Sequence, residues 1–91
     1  MKEIYMSQIK KIAILAVEIF EEEDNNYPDR RVIKNKERAI KNVLNKITED
    51  EEEQRKIYSA IDDEILNYED CTYKPMCNNL RALGYTVAEG R

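Results

Sequence analysis

Apolar residues recur along this chain at three- and four-residue steps, the spacing that lines one face of an α-helix. Ile9, Ile12, Ala13, Ala16, Ile19 and Phe20 form the first such stripe, and Ile14, Leu15 and Val17 widen it. The pattern predicts a helix over about residues 4–22, buried on more than one side and central to the fold. Glu21 to Asp24 stand at its carboxyl end, where the helix dipole disfavours negative charge, and Asn25-Asn26 makes a stop.

Tyr27-Pro28-Asp29 opens a second helix over about 29–46: Pro28 holds Tyr27 extended, and Asp29 serves as N-cap or first-turn acid. Its stripe is Val32, Ile33, Lys36, Ala39, Ile40, Val43, Leu44 and Ile47, with the alkyl stem of Lys36 along the core edge. Thr48-Glu49-Asp50-Glu51 matches a capping box, Thr48 bonding forward and Glu51 reaching back. A third helix follows over about 49–68, burying Ile57, Tyr58, Ile61, Ile65 and Tyr68, with Gln54 leading in. So tight a junction folds helices two and three into an antiparallel αα-hairpin.

After Asp70 to Lys74, Pro75 starts a short helix over about 75–83 that carries Met76, Cys77, Leu80 and Leu83. Gly84 ends it in the left-handed conformation. Tyr85-Thr86-Val87 alternates, but three residues without a partner strand make no sheet. The remainder is therefore expected as a tail that packs Tyr85 or Val87 back on the bundle. The fold class predicted is all-α: a compact three- to four-helix bundle with a central αα-hairpin and a short C-terminal helix plus tail, in a single helical domain spanning 1–91.

Composition narrows the functions. Ninety-one residues make one domain at most, and with two Gly and two Pro the chain lacks the turn residues of an all-β fold. No apolar run approaches the roughly 18–20 residues of a membrane span. No signal peptide is read at Met1 to Tyr5, so a cytoplasmic location without membrane contact is expected. The absence of histidine removes imidazole acid–base catalysis and His-activated nucleophiles. Cys71 and Cys77 are too few for a structural zinc site and read as reduced thiols, Cys77 buried beside Met76 and Leu80. Carboxylate–metal hydrolysis survives, from Glu18 with Glu21 or Glu22 and Asp63 or Glu64. Asn67 stands where the second acidic motif of such an enzyme needs an acid, so the fit is poor. No catalytic residue, cofactor or metal is assigned.

Charge is the informative feature. Residues 29–48 hold seven basic against two acidic groups, net +5, while residues 49–70 hold two basic against ten acidic groups, net −8, in a chain of net charge −4. One reading keeps this inside the hairpin, as opposite charges flanking a seam. The second displays it. Glu49, Glu52, Glu53, Asp62, Asp63 and Glu69 then form an acidic face for a protein partner, such as the basic groove of a nucleic-acid-binding enzyme. A small acidic regulator of this type, like phage- or mobile-element-encoded inhibitors of host enzymes, acts by stoichiometric association. A Lys-, Ile-, Asn- and Glu-rich composition fits a bacterial or phage source. A third reading places nucleic acid on Arg30, Arg31, Lys34, Arg38 and Lys41, a basic stripe opposed by the acidic helix beside it. Surplus apolar surface on the first helix fits a homodimer; Tyr27 and Tyr73, in the connections, are expected to pack over the ends of the bundle, the alternative being exposed anchors for a partner.

Overall fold

The computed structural model describes residues 2–65 and 73–88. Its elements run β1 (Lys2–Tyr5), α1 (Met6–Glu23), α2 (Arg30–Ile47), α3 (Glu51–Asp62), α4 (Lys74–Ala82) and β2 (Tyr85–Ala88). Helices dominate, as the apolar spacing requires, and the molecule is a small helical bundle. No helix among the described residues is long and apolar enough to cross a membrane.

The predicted stripes form the core. Ile9, Ile12, Ala13 and Ile19 of α1 cluster with Ile40, Val43 and Leu44 of α2, Ile57 and Ile61 of α3, and Met76, Cys77 and Leu80 of α4, and Ala16 is buried as well. Helix α1 lies along α2 for more of its length than any other pair, and it also contacts α3, which makes it central. The widening of its stripe fails at Ile14, which is 41% exposed, and Phe20 is 52% exposed past the end of the core. These two residues lie about 120° apart around the helix, so they form no shared apolar patch.

The first difference from the sequence reading lies at both ends of the described chain. Ile4 and Tyr5 belong to β1, and helix α1 starts at Met6. The stretch expected as a tail is β2, and the two strands pair in parallel with Lys2 opposite Tyr85 and Ile4 opposite Val87. Period-two alternation puts Lys2, Ile4, Tyr85 and Val87 on one face, and Ile4 and Tyr85 are buried there against the helices. A two-stranded sheet is marginal alone, and this apolar face is what holds it. At the strand-to-helix junction the Tyr5 N–H donates to Gln8 Oε1 at 2.9 Å, supplying one partner to the helix start.

The second difference is the start of α3. Asp50, and not Thr48, is its N-cap: Asp50 Oδ1 accepts from the N–H groups of Glu52 at 2.9 Å and Glu53 at 3.4 Å. Thr48 closes α2, donating its N–H to the Leu44 carbonyl at 2.9 Å, and its hydroxyl oxygen accepts from the Asp50 N–H at 3.2 Å. Both residue types cap helices, and the extended backbone at Thr48 moves the start of α3 two residues along. Described α3 ends at Asp62, short of the expected Tyr68; residues 66–68, with Glu69 and Cys71, lie outside the described residues.

Other local signals hold. Asp29 caps α2, accepting from the Arg31 and Val32 N–H groups. Pro75 lies in the first turn of α4, and Gly84 takes φ +97° just past its end. Cys77 is buried with its Sγ 3.8 Å from Met6 Sδ.

Candidate docking surface

The corner between α2 and α3 is built around a buried amide. Gln54 is 3% exposed, with an amide whose donors and acceptor all need partners once water is excluded. Its Nε2 donates to Asn45 Oδ1 at 2.8 Å and to the Thr48 carbonyl at 2.7 Å, and its Oε1 accepts from Lys41 Nζ. Lys41 also pairs with Glu51 at 3.8 Å. The apolar stripe of α3 thus carries a polar residue at the place where the chain folds back.

Helix α3 runs antiparallel to α2, as the tight junction predicts. Asn45 and Lys41 face Gln54, and Glu37 lies near Tyr58. Beside the corner the two helices line a cleft of about 550 Å³. Its floor is Ile40, Leu44 and the half-buried Tyr58; Glu37 and Lys41 stand on the α2 wall, Glu51 and Arg55 on the α3 wall. Burial raises the Tyr58 hydroxyl above its ordinary pKa, with Asp62, Glu37 and Glu23 adding to the effect. Asp62 is raised as well, first by burial and then by Asp63 and Glu23.

Among the described residues, ion pairs join Lys2 to Glu53 at 3.1 Å, Lys36 to Glu18 at 3.2 Å and Lys41 to Glu51 at 3.8 Å. Of these, Lys41–Glu51 joins α2 to α3. Arg30, Arg31, Lys34 and Arg38 are exposed and form no ion pair within 4 Å among the described residues. At about 100° per residue, Arg30, Lys34, Arg38 and Lys41 fall within about 80° of one another, a cationic row along one face of α2, and of the four Lys41 lines the cleft.

The acids of α3 are arranged otherwise. Glu52, Glu53, Asp62 and Asp63 spread over about 180° of the helix surface. Glu49, Glu52 and Asp63 are exposed, whereas Asp62 is half-buried on the cleft side. Glu53 turns to the strands, where its Oε2 accepts from the Tyr85 hydroxyl at 2.8 Å and meets Lys2. These two hydrogen bonds, Tyr85 first and Lys2 second, hold the Glu53 carboxyl below its usual range. Burial, and then the bond to Glu53, pushes the Tyr85 hydroxyl up to about 12. Lys2 Nζ also stands 5.6 Å from the Tyr85 ring centroid, within cation–π range. Glu69 lies outside the described residues.

The carboxylates weighed for metal chemistry are dispersed. Glu18 is turned to Lys36, and Glu22 accepts from Asn25 Nδ2 and the Asp29 N–H in the α1–α2 connection. Among the described residues no three acidic or thiol side chains converge on a metal position. Of the aromatics singled out, Tyr27 is 93% exposed beside the cationic row, while Tyr73 is half-buried with Lys10 Nζ 5.6 Å from its ring centroid.

Sequence reasoning found the row on α2 by its offsets of three and four. It did not find the cleft, and the signal was Gln54: an amide in an apolar stripe marks a helix seam that turns polar. The chain matches no family model, no curated protein and no solved structure.

Proposed function

We propose that this protein is a non-catalytic regulator that binds a protein partner stoichiometrically through the face formed by α2 and α3. The observation that carries this reading is a cleft with an apolar floor between α2 and α3, together with four exposed α2 cations, Arg30, Arg31, Lys34 and Arg38, that have no ion-pair partner within the described residues. Concave sites with an apolar floor and a few placed polar groups are where ligands and partner side chains dock. An unneutralised charge row beside one sets partner choice and association rate. The exposed acids Glu49, Glu52 and Asp63 flank the same face and add a second sign of charge to its recognition pattern.

The test is affinity capture from lysate of the source cells, with and without nuclease, comparing three proteins. The native chain is expected to retain one protein at one-to-one stoichiometry after nuclease treatment. The double variant Arg38→Glu/Arg55→Glu should lose it, and Glu52→Lys/Asp63→Lys should weaken it less. Capture by no variant, or equal capture by all three, overturns the reading.

A second reading is nucleic-acid binding along the same row. The 93% exposure of Tyr27 next to Arg30 and Arg31 favours it, since an exposed ring beside cations offers a base a stacking platform. It predicts nuclease-sensitive capture and retention on nucleic acid that falls with salt and with Arg30→Glu.

A further inference from the structure

We infer that the outer face of α2 docks into the major groove of duplex DNA, with Arg and Asn toward the base edges and the rim cations toward the phosphates. This deepens the nucleic-acid reading above and rests on it, and the face lies outside the cleft except at Lys41.

The face follows from the helical repeat. At about 100° per residue, half of the 18 residues of α2 fall within about 160°: six Arg or Lys and three Asn, all exposed. No acid and no apolar residue falls among them. The one acid of α2, Glu37, lies about 20° past Arg30, on the cleft side. Glu51 of α3 and Glu18 of α1 are each engaged by a lysine of α2, Lys41 and Lys36.

That composition separates two classes of partner. A protein interface has an apolar core inside its polar rim, and this face has none. Interfaces with DNA are more polar and far more cationic, because the ligand carries a phosphate charge at every step.

Position within the face narrows the occupant. Arg31, Asn35, Arg38, Asn42 and Asn45 follow at steps of four, three, four and three, a central stripe of Arg and Asn alone. Their paired hydrogen-bonding groups match the guanine and adenine edges exposed in the major groove. Arg30 and Lys34 flank the stripe on one side and Lys46 on the other, as contacts to the two phosphate strands require. A helix of about 10–12 Å diameter enters a groove of about 12 Å, and Arg30 to Lys46 run for about 24 Å along it. The deep, narrow major groove of an RNA duplex excludes such a helix. Tyr27 stands before α2, so the face itself carries no aromatic on which a single strand could stack.

The experiment uses the full chain with a labelled DNA duplex of about 20 base pairs and random sequence. Its single strand, the matching RNA duplex and polyglutamate are the competitors. At about 50 mM salt the DNA duplex should bind at least tenfold tighter than any of them in fluorescence polarisation. Its log affinity should fall against log salt with a slope of about −3 to −5. Arg30→Gln/Lys34→Gln changes two exposed side chains, retains the native circular dichroism and should reduce that slope by about 2. The side-chain amide resonances of Asn35 and Asn42 should move with the duplex. Selection from a randomised duplex library should yield a preferred sequence, and Asn35→Ala/Asn42→Ala should lose that preference with its salt slope unchanged.

An unchanged slope in Arg30→Gln/Lys34→Gln, or resonance shifts confined to α3 or α4, overturns the inference. So does a selection that yields no preferred sequence. Polyglutamate binding as tightly as the duplex overturns it too, the face then suiting an acidic protein. Tighter binding of the single strand that Tyr27→Ala abolishes, or tighter binding of the RNA duplex, removes this inference and leaves the nucleic-acid reading standing. Retention on no nucleic acid at low salt removes both.

Discussion

Two sides of this molecule solve the problem of burial differently. Where α1, α3 and α4 meet the strands, Ile4, Ile9, Ile12, Ile61, Met76 and Leu80 are all less than 2% exposed and the interior is apolar. Where α3 turns back on α2, the interior holds an amide, and Gln54 is satisfied by Asn45, Thr48 and Lys41. An apolar seam closes because side chains of either helix can fill it in any rotamer that fits. A seam pinned by directed hydrogen bonds closes only where donors and acceptors align. The second side is therefore tied at its corner and open beside it, and the open part is the cleft.

That contrast can be broken by mutation. The largest effect is expected from Ile12→Ala, which removes fully buried methyl groups on the dry side and should cost roughly 3 kcal/mol in urea unfolding. A loss under 1 kcal/mol would mean that this side repacks freely. Gln54→Ala should cost about 1–3 kcal/mol, because it leaves the Thr48 carbonyl and Asn45 without their donor. The amide exchange of α3 should rise with it while that of α1 does not. Equal loosening of both helices would erase the distinction between the two sides.

Asp50→Ala should cost about 1 kcal/mol and Thr48→Ala about half of that, since Asp50 caps α3 while Thr48 receives one exposed N–H. The opposite order would restore the capping box that the sequence suggests.

The smallest effect is a pH dependence located in the Lys2–Glu53–Tyr85 contact. Tyr85 is raised from 10.0 to about 12, so the stability that its neutral hydroxyl contributes is present below pH 10 and lost as the pH climbs toward 12. Glu53 is lowered from 4.5, so its contribution is present above that value and lost as the pH falls through the depressed one. Tyr85→Phe should flatten the alkaline limb of a melting-temperature profile, and Glu53→Gln the acid limb. Tyr58, also raised, leaves some alkaline slope in Tyr85→Phe.

The dry side was legible in the sequence because its information is local. Ile9, Ile12, Ala13, Ala16 and Ile19 announce a buried face by spacing alone, and Asp29 and Gly84 mark ends by their own backbone chemistry. What escaped depends on residues far apart or on a choice between equals. Lys2 to Tyr5 become a strand only because Tyr85 to Ala88 lie alongside, which no local pattern states. Thr48 and Asp50 are both good caps, and the backbone at the corner selects between them. The α2 stripe was readable as a row, but its display was not. Whether Lys34 and Arg38 face solvent or an acidic neighbour depends on how α3 lies against α2, which their own spacing does not state, and the fold leaves both exposed.

The β1–β2 ladder has a consequence for how the chain assembles. Lys2 and Tyr85 are separated by 83 positions, so their pairing closes a long loop that contains all four helices. Such a closure is entropically unfavourable in an extended coil and becomes cheap only after the intervening helices have condensed. Backbone protection at Ile4 and Thr86 should thus be acquired late, as a seal on the finished molecule, and should be the first to vanish when any helix detaches.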